Sequence, residues 1–301
     1  MKLRKLFAIA AMALCVAGAS AQVSKEDVRI YINPGHGSWG PNNRHMATIG
    51  HSPISSEAPD TTDFFESNTN LHKGLALLER LHQYGVPFDK TKNQTNANPN
   101  RIGAALDLTQ NLVMSRVKSG PFPYSNVKDA DLGYIPDDQN NDFNRRLSEI
   151  AAEVDANDFD MFISIHSNAA SEGNTTNYLY FAWDNKYINS DGSAKNDTGA
   201  AIRDLSIEMA QKGWNQRILD RHTQWSHYDC LVGQGTVKIG QQNLGVLNHT
   251  VPGYLVEGYF HTYQPARHRY MNFDMCRLEG VDYARGVADY FGWAKENTGD
   301  I

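Results

Sequence analysis

The chain has 301 residues, 41% of them hydrophobic, with a formal net charge of −6. That is enough apolar material for one large core or two small ones, and no Pro/Ser-rich linker, charge block or fixed-period repeat divides the sequence. The acidic balance argues against nucleic acid as a partner.

Lys2, Arg4 and Lys5 are followed by an apolar run over 6–16 and by the small residues Ala19-Ser20-Ala21, the pattern of an export signal over 1–21. The run is much shorter than the roughly 20 residues that span a bilayer. Leu14, just before Cys15, does not suit lipid attachment. The expectation is one domain over 22–301, periplasmic or extracellular, with no membrane span. Beyond the signal only Cys230 and Cys276 remain; an oxidising compartment would let them pair, and two free buried thiols fit equally well.

Residues 28–33 read as a first strand closed by Pro34-Gly35, which sets His36 on the corner behind it. The stretch 37–65 is rich in Gly, Pro, Ser and Asn and holds Trp39, His45 and His51. A segment that long without periodicity reads as a functional rim. From Glu66 the spacing of Leu71, Leu75, Leu78 and Leu81 predicts a helix that stops at Gly85. Residues 86–88 then read as a second strand, and 91–141 as an inserted loop-helix region with its helix over about 101–117.

Further on, Phe143, Leu147, Ile150, Ala151 and Val154 form the apolar stripe of a helix. Residues 160–166 and 178–182 read as strands and 199–213 as a helix. Late strands are expected at 244–247 and 254–257, and a final helix over about 279–293. Strands alternating with helices in this way indicate an α/β fold, a single domain with a twisted, mostly parallel or mixed central sheet flanked by helices.

Three of these runs end on residues suited to metal or proton chemistry: Asn33-Pro34-Gly35-His36, Ser164-Ile165-His166 and Leu255-Val256-Glu257. In an open α/β sheet the carboxyl ends of the strands border one crevice, so residues far apart in sequence meet there. Hydrolytic zinc sites use three His or carboxylate ligands and leave a fourth position for water. His36, Glu66 and His166 supply that set, and Glu66 opens a helix whose positive end favours a carboxylate. A separate carboxylate must still move the proton from water to the leaving nitrogen, a role for which Glu257 is placed. Singly, each residue has a plainer explanation as a turn histidine, a first-turn helix glutamate or an edge-strand glutamate. Their occurrence together on successive elements is what points to a site.

The runs Ile-Asn-Pro-Gly-His-Gly at 32–37, Glu66-Ser67-Asn68 before a leucine-rich helix, Phe-Ile-Ser-Ile-His-Ser-Asn-Ala at 162–169, and Leu-Gly-Val-Leu at 244–247 followed by Leu-Val-Glu-Gly-Tyr-Phe at 255–260 occur in that order. Together they resemble the zinc-dependent N-acetylmuramoyl-L-alanine amidases of the Amidase_3 type. The resemblance implies one zinc ion held by His36, Glu66 and His166, with Glu257 as the catalytic carboxylate. It also implies a secreted peptidoglycan hydrolase that cuts the amide between N-acetylmuramic acid and the L-alanine of the stem peptide.

The chain departs from that family in its long segments 37–65 and 91–141, in Thr91-Lys92 where the family places Thr-Arg, and in the spacing of Arg145 and Arg146. The insertion is a candidate occluding element that an activator protein would displace. Trp39, Asn168 and His261 are candidate substrate contacts, whereas Tyr259 reads as core. His72, about 240° around the helix from Glu66, should face elsewhere. Two other functions fit the same residues. One is a zinc peptidase acting within cell-wall peptides, although no His-Glu-x-x-His is present. The other is a catalytically silent wall-binding homologue.

Overall fold

The computed structural model describes residues 23–35, 66–89, 107–115, 147–168, 178–181, 189, 192–215, 236–238, 245–261, 267 and 269–293. Its strands are β1 (Ile30–Pro34), β2 (Leu112–Met114), β3 (Met161–Asn168), β4 (Tyr178–Phe181), β5 (Thr236–Lys238) and β6 (Gly253–Phe260). They pair in the order β2-β1-β3-β6-β4-β5. The first four in that order run parallel, with Ile32 beside Ile163 and Ile165 beside Val256. β4 turns antiparallel to β6, and β5 follows it in parallel. The expected mixed, mainly parallel α/β sheet is therefore present.

β1 and the first five residues of β3 are buried throughout, because parallel strands covered on both faces require near-continuous apolar runs. On one face lie α1 (Glu66–Gln83) and α4 (Phe273–Phe291). Leu71, Leu77 and Leu81 of α1 join Tyr283, Ala284 and Val287 of α4 against Ile30, Ile32, Ile163 and Val256. Each leucine buried there contributes about 1.5–3 kcal/mol. The other face packs Tyr31, Val113, Phe162 and Leu255 against Ile150 and Val154 of α2 (Leu147–Ala156). α3 (Asp197–Met209) starts at Asn196, whose side chain accepts from the Gly199 N–H at 2.9 Å.

α1 ends where the sequence places its stop. Gly85 adopts a φ of 103°, a left-handed conformation that suits glycine, and the Val86 N–H closes back on the Leu81 carbonyl at 3.1 Å. That closure explains the first correction: residues 86–88 form no strand, since Val86 is committed to the helix end and Pro87 has no donor. The strand beside β1 comes instead from Leu112–Met114, within the helix expected over about 101–117. Its three residues are buried, and a short apolar run does not reveal its period.

The expected strand at 244–247 is a 3-10 turn over Gly245–Leu247, with Val246 and Leu247 in the second core cluster. The final helix begins earlier than expected, at Phe273, because Asn272 caps it by accepting from the Asp274 N–H at 2.9 Å. β5 had no counterpart in the sequence reading. Cys276 is a free, fully buried thiol that donates to the Tyr270 carbonyl at 3.1 Å, and burial pushes its pKa up; Cys230 lies outside the described residues. Among the described residues no helix is long and apolar enough to cross a membrane.

Candidate active site

Parallel pairing brings the tips of β1, β3 and β6 together at one end of the sheet. His166 sits opposite Glu257 in the β3–β6 register, just before an irregularity between His166 and Asn168. Residues paired across adjacent parallel strands point to the same side, so this imidazole and this carboxylate share one corner. Beneath them a buried polar chain crosses three strands. The Ser115 hydroxyl donates to Asn33 Oδ1 at 2.7 Å, and Asn33 Nδ2 donates to Ser164 Oγ at 2.8 Å.

Glu66, the first residue of α1, is only 2% exposed. Its Oε1 accepts from the Ser167 N–H at 3.0 Å and from Asn70 Nδ2 at 3.4 Å, and it stands 3.2 Å from His166 Nδ1. Asn70 also donates to the Gly35 carbonyl at 3.3 Å, and the Gly35 N–H donates to the Ile165 carbonyl at 2.8 Å. The backbone at 35 is thus fixed between β3 and α1, one residue before His36. A Cβ at position 35 would collide with the His166 ring. The sequence marks Gly35 as a turn residue; the structure adds that its missing side chain is the space the imidazole fills.

Glu257 is half-buried. Its Oε2 is inaccessible, and among the described residues no donor reaches it. Burial pushes the Glu257 pKa well above the usual carboxylate range. The Glu66 carboxylate pushes it the same way, and Lys73 opposes both. The buried Glu66 carboxylate beside the His166 imidazole is a donor pair of the kind a cation takes. Two tetrahedral zinc ligands, each about 2.0–2.2 Å from the metal, stand about 3.4 Å apart, close to the 3.2 Å between His166 Nδ1 and Glu66 Oε1.

Of the residues singled out by sequence, Glu66, His166 and Glu257 are brought together here. His36 and Trp39 lie outside the described residues, as does the side chain of Asn168. Accordingly, among the described residues alone no set of three His, Cys, Asp or Glu side chains forms a metal cluster. His261 is 2% exposed and its Nδ1 lies 2.9 Å from Ser167 Oγ, the neighbour of His166. His72 faces away as expected, stacked on Phe273 with ring centres 4.0 Å apart. Tyr259 is core, stacked on Tyr270 at 3.9 Å.

Sequence reasoning missed Lys73, which is fully buried. The signal was available: Glu66, Asn70 and Lys73 fall at i, i+4 and i+7 and so share one helix face. The leucines that marked the helix, Leu71, Leu75 and Leu78, lie about 120–180° around from Glu66.

The fold and this corner define an α/β protein whose polar groups gather at the carboxyl ends of central parallel strands. No protein-family model matches the chain, and no curated protein matches it in sequence. Among solved structures, the chain shares its fold with Cwp6 from Clostridium difficile, at 20% identity and a TM-score of 0.52. That match covers 88% of this chain and 30% of Cwp6, so the chain spans about a third of that protein's length. Two further similar structures are an N-acetylmuramoyl-L-alanine amidase from Clostridium difficile 630 and the N-acetylmuramyl-L-alanine amidase Ami1 from Mycobacterium smegmatis. The first has 19% identity and a TM-score of 0.49, covering 92% of this chain and 100% of the other. The second has 15% identity and a TM-score of 0.49, covering 89% and 99%.

Proposed function

We propose that this chain is an exported zinc-dependent peptidoglycan amidase that hydrolyses the bond between N-acetylmuramic acid and the L-alanine of the stem peptide. The observation that carries the reading is the convergence of Glu66 and His166, 3.2 Å apart, beside the half-buried Glu257 opposite His166. The four sequence runs quoted above add the order and spacing of the Amidase_3 resemblance.

In this reading His36, Glu66 and His166 hold the metal, which when bound supplies Lewis acidity at neutral pH. The Ser167 N–H and Asn70 fix the Glu66 carboxylate, leaving it one defined orientation. Glu257 accepts a proton from the attacking water and returns it to the departing alanine nitrogen. Burial raises its pKa, so it holds a proton more readily than a free carboxylate, which suits carrying that proton to the nitrogen. Trp39 and Asn168 are proposed substrate contacts, with buried His261 behind them on Ser167, and the 91–141 segment, apart from the buried strand β2 that it contributes to the sheet, is the proposed occluding element for an activator protein.

The test is product identification on cell-wall sacculi with zinc-loaded protein. The expected product is free N-terminal L-alanine with intact glycan strands. Glu257→Ala should slow release by about 10²–10⁴-fold while retaining zinc, whereas His166→Ala should lose the metal. New amines on other stem residues would identify a peptidase instead. No release by any zinc-loaded form would leave a silent wall-binding protein.

A further inference from the structure

Behind the candidate site lies a buried ion pair that the proposed reaction does not use. Lys73 Nζ stands 2.8 Å from Glu279 Oε1, with side-chain exposures of 0% and 2%. The ammonium also lies 4.4 Å from the Tyr259 ring centre and 4.8 Å from that of Tyr270, and the Tyr283 hydroxyl donates to the same Glu279 oxygen. Such a pair is a weak source of stability, since well-packed apolar residues of similar volume usually do as well or better. Its presence in the core therefore calls for a role that depends on charge.

Three elements meet at the pair, and two of them carry site residues. α1 opens with Glu66 and bears Lys73 two turns later. In β6, Gly258 follows Glu257 directly, and a Cβ there would strike the Glu279 carboxylate. In α4, a Cβ at Gly280 would strike the Lys73 carbonyl.

We propose that Lys73, held by Glu279, is a positioning residue of the candidate site. The ion pair ties α1, which opens with Glu66, to β6 directly beside Glu257, and so holds the two carboxylates in place before a metal binds. Glu279 keeps that ammonium from competing with the metal. The inference rests on the zinc-hydrolase reading above and deepens it.

The experiment compares wild type with Glu279→Gln and with the apolar pair Lys73→Met/Glu279→Met. Three quantities are read: zinc affinity by competition with a chelating dye, the unfolding temperature of zinc-free protein, and kcat and KM on cell-wall substrate. Glu279→Gln keeps the side-chain shape but leaves Lys73 without its partner, and it should weaken zinc about tenfold, the lower end of effects from groups supporting metal ligands. The apolar pair should unfold close to wild type, yet lose kcat by about tenfold or more with KM little changed. Wild-type zinc affinity and turnover in a folded apolar pair, or in Glu279→Gln should the pair not fold, would reduce the ion pair to packing and overturn the inference. A wild type that neither binds zinc nor releases product sinks the reading itself, and the inference with it, before any variant is compared.

Discussion

The imidazole of His166 occupies the space that a side chain at Gly35 would need. Gly35 is held on both sides, its N–H on Ile165 and its carbonyl on Asn70, so the backbone cannot retreat from an added methyl group. The ring would have to turn. Gly35→Ala is therefore expected to fold but to weaken zinc binding by about 10–100-fold, with a parallel loss of turnover. Dye competition for zinc, read beside thermal unfolding, checks this; unchanged zinc affinity in the folded variant would contradict the packing argument.

Glu257 makes a prediction about pH and stability in metal-free protein. Its carboxyl is raised by burial first and by Glu66 second, so the folded-state pKa lies above the unfolded one. The stability that comes from keeping it neutral is complete below the ordinary carboxylate pKa and is lost as pH rises through the raised value. Glu257→Gln cannot ionise. In chelator-dialysed protein it should unfold close to wild type at about pH 4 and at a higher temperature at about pH 8. Each kcal/mol is read as about 2–4 °C in a domain of this size. Melting curves that move together across that range would show that the carboxylate ionises without cost.

The chain Ser115–Asn33–Ser164 makes a third. Asn33→Ala removes the middle of a buried network and strands the Ser115 hydroxyl and Ser164 Oγ. Leaving buried polar groups without partners costs about 1–3 kcal/mol. Urea unfolding should show that loss with an unchanged denaturant slope. Asn33→Ala should also lower activity, because β1 delivers Pro34, Gly35 and His36 directly after Asn33. A variant as stable as wild type would mean that water replaces the amide.

Much of this was legible in the sequence, for identifiable reasons. β1, β3 and β6 announce themselves because central parallel strands need unbroken apolar runs, although β6 runs on past Glu257 to Phe260. Glu66 was visible as the first polar residue before a leucine stripe. β2 was hidden, since three apolar residues carry no period and the neighbouring sequence suggests a helix. Residues 244–247 misled for the same reason, with Val246 and Leu247 buried in a turn rather than a strand. Lys73 escaped because a lysine on a helix is ordinarily read as solvated, and only the α4 partner Glu279, far along the chain, makes its burial intelligible.

β6 is hydrogen-bonded on both sides, to β3 in parallel and to β4 in the opposite direction, and β3 is likewise flanked by β1 and β6. His166 and Glu257 thus hang from two neighbouring strands that are each paired on both sides. Glu66 enters from a helix end instead, anchored at that corner by the Ser167 N–H and Asn70 rather than by a ladder. Of the three groups, then, two are set by the sheet itself, and the helix-borne carboxylate takes its place from β3 through the Ser167 N–H, so the sheet is the ruler against which all three are measured.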